Sequence, residues 1–310
     1  MFAHELGYWL QQFLNALTLA SFYVPLAVAY ALVQGITNKI FLSFGDFAMY
    51  AAFAAIYAGL MGLLAGSDVS VILSLSLGLA VLCAAALGRF AATYIFAPLI
   101  NQSSQAFMIG SIGISIALQE LMRIQSGNRD LWLPPLLDGA ALKLYDGAFP
   151  VQFGVIQMIA IMTSATAIGI VLVIMNFTAM GRLWKACSQS EKLARLCGVN
   201  TLNVLRWSCV GSAALASVSG WIIAVSYGGV TFSLGLMLGF KAMFASVIGG
   251  FGTLGGAIAG GIFLACVETL WTIFFPLAYR DVAVFGLIIL ILMLKPEGLY
   301  SSTNRRESET

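Results

Sequence analysis

Residues 69–97 read VSVILSLSLGLAVLCAAALGRFAATYIFA, a run whose only charge is Arg89. At about 1.5 Å of rise per residue, such a run as a helix exceeds the roughly 30 Å of a bilayer's hydrocarbon. Backbone amides and carbonyls buried in lipid must pair internally, which leaves helices or closed barrels. The apolar–polar alternation of a barrel strand is absent here. Similar runs lie at roughly 10–34, 40–64, 105–123, 152–177, 203–227, 232–250, 253–275 and 281–295. The expected fold is therefore all-α: a polytopic transmembrane bundle of eight or nine spans forming one domain over 1–310. The stretch 232–275 reads either as a crossing pair or as one crossing with a re-entrant segment.

Composition agrees. The 310 residues are 60% hydrophobic and 9% charged, with a mean hydropathy of +0.95, against about a quarter charged in soluble domains. A net charge of +2 is too small to suggest a nucleic-acid partner. Five cysteines lie in spans or beside one basic loop, and they read as free thiols rather than a disulfide framework. The N-terminal stretch lacks a basic region and a clear small-residue cleavage site, so no removed signal peptide is expected.

The breaks between runs carry loop chemistry: Thr37-Asn38-Lys39, Gly66-Ser67-Asp68, the polar connector 98–105, and a long loop over 124–151 with Trp132, Pro134, Pro135 and Tyr145. Lysines and arginines favour cytoplasmic loops. If the loop around 181–200 is cytoplasmic, ten basic residues share its side: Lys39, Arg89, Arg182, Lys185, Lys192, Arg195, Arg206, Lys295, Arg305 and Arg306. Four lie opposite: Arg123, Arg129, Lys143 and Arg280. With nine crossings the N-terminus is then outside, the 124–151 loop is outer, and a loose tail over 297–310 is cytoplasmic. Stretches 30–45 and 227–235 each place glycine and a Ser-Phe or Phe-Ser pair after a long span, and these spans run in opposite directions. That is the pattern of an inverted repeat, although chance glycine clustering accounts for it equally well.

Three constellations stand out. The first is the basic segment 181–200, which includes Arg182, Lys185, Ala186, Glu191, Leu193, Leu196, Gly198 and Val199. Ser188 and Glu191 have capping-box spacing, and Gly198 sits where a helix takes a left-handed stop. Leu193, Leu196 and Cys197 share one face, with Lys192 and Arg195 on others. A helix this short would anchor weakly on lipid, which favours contact with another protein. The second is Ser43-Phe44-Gly45-Asp46: a carboxylate about 9 Å into a span starting near Ile40 is costly. It reads either as a broken helix near a path or as an interfacial cap. Glu120 reads more readily as interfacial, and Glu268 is a candidate partner for Lys241. The third is the glycine cluster of Gly249, Gly250, Gly252, Gly255 and Gly256, continuing to Gly260 and Gly261, which suits close helix packing or an unwound hinge lining a cavity. There is no phosphate-binding loop. The only histidine, His4, excludes histidine triads and multi-histidine metal sites. No catalytic constellation argues for an enzyme, and no cofactor or metal is expected.

Together these residues resemble the inner-membrane permease subunits of ABC importers, most closely the branched-chain amino acid type. The resemblance spans nearly the whole chain. It is carried by Gly181-Arg182 through Gly198-Val199-Asn200-Thr201, similar to the family's cytoplasmic coupling segment. It is carried also by Lys241-Ala242-Met243 with the glycine-rich run from Val247, by Gly127-Asn128-Arg129-Asp130 and by Lys295-Pro296-Glu297-Gly298-Leu299. The family's usual Asn-Phe-Ala-(His or Gln)-Gly-Glu-like run is here Phe41-Leu42-Ser43-Phe44-Gly45-Asp46; the glycine and the acid survive, which leaves the solute open. The resemblance implies alternating access in a bacterial inner membrane, with a periplasmic binding protein, a second related permease subunit and two cytoplasmic ATPases that hold the hydrolytic chemistry. Branched-chain amino acids, other amino acids, amides and urea fit as solutes. The alternative is a stand-alone ion-coupled secondary transporter, suggested by Asp46, Glu268 and the repeat; a membrane enzyme or scaffold is poorly supported.

Overall fold

The computed structural model describes residues 2–100, 102–134, 136, 140–145, 151–295 and 298. It is a polytopic helical bundle. In chain order the helices are α1 (Phe2–Thr37), α2 (Phe44–Leu64), α3 (Val69–Ala91), α4 (Ala97–Leu99), α5 (Ser104–Gln125), α6 (Val155–Phe177), α7 (Ala179–Gln189), α8 (Glu191–Leu196), α9 (Thr201–Tyr227), α10 (Leu234–Gly250), α11 (Leu254–Phe274) and α12 (Arg280–Leu294). A π-turn over Ala92–Phe96 joins α3 to α4 without a break. Among the described residues, eight helical stretches are long and apolar enough to cross a membrane, and α10 is shorter at 17 residues.

Local chemistry explains the boundaries. Side chains of Ser103, Thr178 and Asn200 accept from the backbone amides of Ala106, Gly181 and Asn203, satisfying donors that α5, α7 and α9 leave free. Gly228 ends α9 in the left-handed conformation, at φ 69°. Beyond α4, Lys39 Nζ donates to the carbonyls of Ile100 (2.7 Å) and Gln102 (2.8 Å) and lies 5.4 Å from the Phe107 ring centre.

Burial orders the bundle. The most apolar windows of α9 and α1 are 83% and 78% buried, whereas those of α6 and α12 are 17% and 11% buried. The first pair forms the centre, and the second presents apolar side chains outward. Around the start of α2 an aromatic nest closes the core: Phe41 stacks on Phe44 at 4.2 Å and tilts against Phe96 at 4.6 Å, and Phe96 meets Phe107 at 5.3 Å.

The packing has a two-fold pattern. Helix α1 lies against α11 as α9 lies against α3; α2 pairs with α3 as α10 pairs with α11; α1 meets α9, and α2 meets α10. Exchanging α1 with α9, α2 with α10 and α3 with α11 preserves these contacts.

The connections gather at two ends. Gly35, near the end of α1, touches both Trp184 of α7 and Gly252 of the α10–α11 turn, and Gly298 approaches Gly250. At the other end, β1 (Leu131–Trp132) pairs antiparallel with β4 (Gly229–Val230), Leu133 N donates to Gly228 O at 2.7 Å, and Leu133 packs on Gly59. The stretch expected as a plain polar loop thus forms this ladder and an antiparallel pair of β2 (Ala140–Tyr145) with β3 (Val151–Gly154). Pro135 and, Gly298 apart, the 297–310 tail lie outside the described residues.

Candidate functional site

The site is built on two helix starts. After Thr37 the chain leaves helix through Asn38, at φ 49°, and does not re-enter until Phe44. That irregular stretch is held against α5. Leu42 N donates to Ser111 Oγ at 3.3 Å, and Ser111 lies in the third turn of α5. Tyr30 OH donates to Leu42 O (3.2 Å) and accepts from Gly45 N (3.1 Å), so one hydroxyl satisfies two backbone groups freed by the break. Asp46, fully buried, accepts from the Ser115 hydroxyl and from Gln119 Nε2 at 2.8 Å, both on α5.

Asp46 is thus bonded inside the bundle and not to its own helix start. Ser43 is the residue before the first turn, and its hydroxyl makes no capping bond. The Asp46 carboxylate turns inward onto the centre of a neighbouring span. A carboxylate placed there is costly unless a path or partner requires it.

Helix α10 starts against the same point. A Cβ on Gly45 would overlap Gly235 O and the backbone of Gly239; one on Gly235 would lie 2.5 Å from Asp46 Oδ1. Glycine is needed at both positions because two backbones touch. The two starts also match in detail. Ser43 sits at φ −87°, ψ −4° and precedes Phe44-Gly45; Ser233 sits at φ −92°, ψ −6° and precedes Leu234-Gly235. Two helix N-termini, each a partial positive pole, thus converge beside one carboxylate.

The glycine cluster sorts into three kinds. Gly249, Gly256 and Gly260 face the partner helix so closely that a Cβ on any of them would overlap a backbone carbonyl. Gly250 and Gly252 hold the turn, at φ 133° and 73°, with Gly252 seated on Gly35. Gly255 has nothing within 4 Å of its would-be Cβ.

The basic segment is two helices, not one. The Ser188–Glu191 spacing predicts a start at Ser188, but Ser188 Oγ donates to Lys185 O inside α7. Ser190 is the cap of α8, accepting from Leu193 N, because its extended backbone ends α7 and turns the chain. Gly198 stops α8 at φ 83°, as its position implied. Gly181 packs on the Met175 backbone. Trp184 is buried, donates Nε1–H to Leu32 O at 2.9 Å and rests on Gly35, so α7 is pinned to α1. Cys187 is buried, and that burial, reinforced by the Glu191 carboxylate, pushes its thiol pKa up. Arg182 and Lys185 are exposed, with Lys185 on Asn176 Oδ1 at 3.0 Å, and Ala186 and Val199 are half-buried. Glu191 pairs with Arg195, which also donates to Thr201 Oγ1 at 3.0 Å. Leu193 and Leu196 project outward, 64% and 83% exposed.

An ion cluster that sequence only half foresaw lies on α10, α11 and α12. Lys241 Nζ meets Glu268 Oε1 at 3.0 Å and Asp281 Oδ1 at 2.7 Å; Arg280 Nε meets Glu268 Oε1 at 2.9 Å; Tyr23 OH donates to Glu268 Oε2 at 2.7 Å. Glu268 and Lys241 are buried, which is tolerable only because each finds several partners. Glu120 pairs with Arg123 on the exposed surface, as an interfacial residue does. Trp184, Ser115, Gln119, Tyr30 and Arg280 were not singled out from sequence; a lone tryptophan in a charged loop was the one available signal.

Comparison with known proteins gives a consistent picture. A family model described as "Branched-chain amino acid transport system / permease component" matches residues 12–293. The high-affinity branched-chain amino acid transport system permease protein LivH of Salmonella typhimurium is 32% identical over 94% of this chain and 95% of its own length. LivH of Escherichia coli shows the same figures, 32%, 94% and 95%. BraD of Pseudomonas aeruginosa is 29% identical over 95% of this chain and 96% of its own. No solved structure matches.

Proposed function

The chain belongs to the branched-chain amino acid transport system permease family, and from that premise we propose how this membrane permease subunit works. It lines a path for branched-chain amino acids or closely related small solutes across a bacterial inner membrane. A periplasmic binding protein delivers the solute, a second related permease subunit completes the path, and two cytoplasmic ATPases drive it. The subunit is not itself an enzyme. Its N-terminus and the 124–151 loop face outward; α7, α8 and the C-terminus face the cytoplasm.

The observation that carries this reading is the division of labour in 181–200. Leu193 and Leu196 stand exposed with no core of their own, while Trp184, two residues from Arg182 and next to Lys185, is locked into α1. Such a lever takes a push on α8 from a closing ATPase and hands it to α1, the spine of the bundle. The break at Ser43, Phe44, Gly45 and Asp46 packs against α10, and the tight turn at Gly249, Gly250, Gly252 and Gly256 seats on α1 through Gly35. Rocking α1 therefore shifts both broken starts together. The matched geometry of Ser43 and Ser233 and the exchangeable contacts support an inverted repeat whose halves rock against each other.

Leu193→Asp with Leu196→Asp, reconstituted with its ATPases and loaded binding protein in liposomes, is expected to reduce ATPase stimulation to the basal level while the subunit stays folded. Full stimulation would remove the lever from the account. The buried Asp46, bonded to Ser115 and Gln119 and in no ion pair among the described residues, favours one rival, ion-coupled transport by the chain alone. Gradient-driven uptake in proteoliposomes lacking ATPases would establish that rival; its absence dismisses it.

A further inference from the structure

Two grooves meet beside the basic segment. One, of about 460 Å³, runs along the spans and is lined by Leu32, Val171, Met175, Met180, Trp207 and Gly211 among others. The second, of about 500 Å³, continues past Met180 and Trp207 to Gly198, Asn200 and Asn203. The first is apolar; the second is where polar groups begin. Trp207 is 59% exposed at their junction, in the first turns of α9. An exposed tryptophan at the end of a span marks the level of lipid headgroups.

Two guanidiniums stand at this junction. Arg89 lies over the Trp207 ring, 5.6 Å from its centre. Arg206 donates from Nη1 to Asn203 Oδ1 at 3.2 Å, and Asn203 lines the second groove. Arg206 Nε is buried with no hydrogen-bond partner, and neither arginine is in an ion pair among the described residues. Positive charge therefore sits at the mouth of an apolar slot, at headgroup level, with no anion among the described residues paired to it.

We propose that these grooves bind one anionic phospholipid. One acyl chain lies in the apolar groove between α6 and α9, and the phosphate-bearing headgroup rests at Arg89 and Arg206 over Trp207. The inference is independent of the solute and of the ATPase partners. It requires only that the α7 end of the bundle lie in a leaflet that contains anionic lipid.

The test is native mass spectrometry of the full-length chain, released from detergent after incubation with phosphatidylglycerol or with phosphatidylcholine of identical acyl chains. Wild type is expected to retain one phosphatidylglycerol in preference to phosphatidylcholine. Arg89→Gln with Arg206→Gln is expected to lower that preference by about fivefold per arginine, leaving binding of the neutral lipid intact. Gly211→Leu has open space around the new side chain and is expected to fold, fill the slot and reduce retention of both lipids. Equal retention of the two lipids by wild type, an undiminished preference in the arginine variant, or wild-type retention by Gly211→Leu would each overturn the proposal. So would loss of a dimer, rather than of lipid, in Gly211→Leu, because the slot would then seat a second copy.

Discussion

Consider Gly249→Ala beside Gly255→Ala, two one-carbon changes in the same glycine cluster with opposite surroundings. A carbon and a carbonyl oxygen ordinarily approach no closer than about 3.3 Å. A Cβ on Gly249 falls well inside that distance of the Gly256 oxygen and also lies 3.0 Å from the Ala257 amide nitrogen. All of these neighbours are backbone, so no side chain can rotate away, and α10 and α11 must part. Overpacking of this sort costs typically about 1–3 kcal/mol and sometimes more. The gain from replacing a helical glycine, at most about 1 kcal/mol, offsets part of it. At Gly255 the new methyl meets nothing within 4 Å, so only the gain remains, reduced because the site is in the first turn of α11. The two variants should therefore differ by about 2 kcal/mol, which corresponds to an apparent melting temperature about 5 °C lower for Gly249→Ala than for Gly255→Ala. Intrinsic tryptophan fluorescence on heating in detergent, with size-exclusion profiles before and after, measures it. Gly249→Ala melting together with Gly255→Ala would refute the claim that the helices touch through Gly249.

Glu268→Gln keeps shape but removes the buried carboxylate that Lys241 and Arg280 share, leaving Asp281 as their remaining partner; the loss is expected to stay below the roughly 3 kcal/mol of a fully unpaired buried charge, seen as denaturation at lower SDS fraction in mixed micelles, and a wild-type curve would show the cluster to be solvated. Asp46→Ala leaves the Ser115 hydroxyl and Gln119 amide without their acceptor, at about 1–3 kcal/mol, so the same titration should shift and solute uptake should fall, whereas Asp46→Asn should retain more of both; equal losses in the two would contradict the bonding described. Cys197 is exposed and Cys187 is buried with its thiol pushed up. A raised pKa means less thiolate at a given pH, so maleimide should label Cys197 first, with Cys187 catching up only as pH rises; in spheroplasts, labelling of Cys197 by an impermeant reagent added outside would reverse the proposed orientation.

Apolar length made the spans legible, since no other property of 69–99 or 201–227 competes with it. Gly198 was legible because a left-handed stop needs a specific residue. The Ser188 start was misplaced because two serines two residues apart satisfy the same local rule, and only the turn of the backbone at Ser190 chooses between them. Asp46 was recognisable as unusual, yet its partners on α5 lie some seventy residues away, and chain order says nothing about which face of α5 meets α2. The same limit hid Arg280 and Tyr23 from the Lys241–Glu268 pair. Spacing likewise could not separate Gly249 from Gly255, because what distinguishes them is the identity of the surface opposite.

The contact of Gly45 with Gly235 bears on how the polypeptide is made. When the first few spans have entered the bilayer, the irregular stretch before α2 is already among them, but the helix start that covers it has not yet been translated. During that interval Tyr30 and α5 alone must satisfy the exposed amides and carbonyls. Maturation of the first half therefore waits on arrival of the second, and a chain truncated before Gly235 leaves the polar notch at Gly45 without the backbone that covers it.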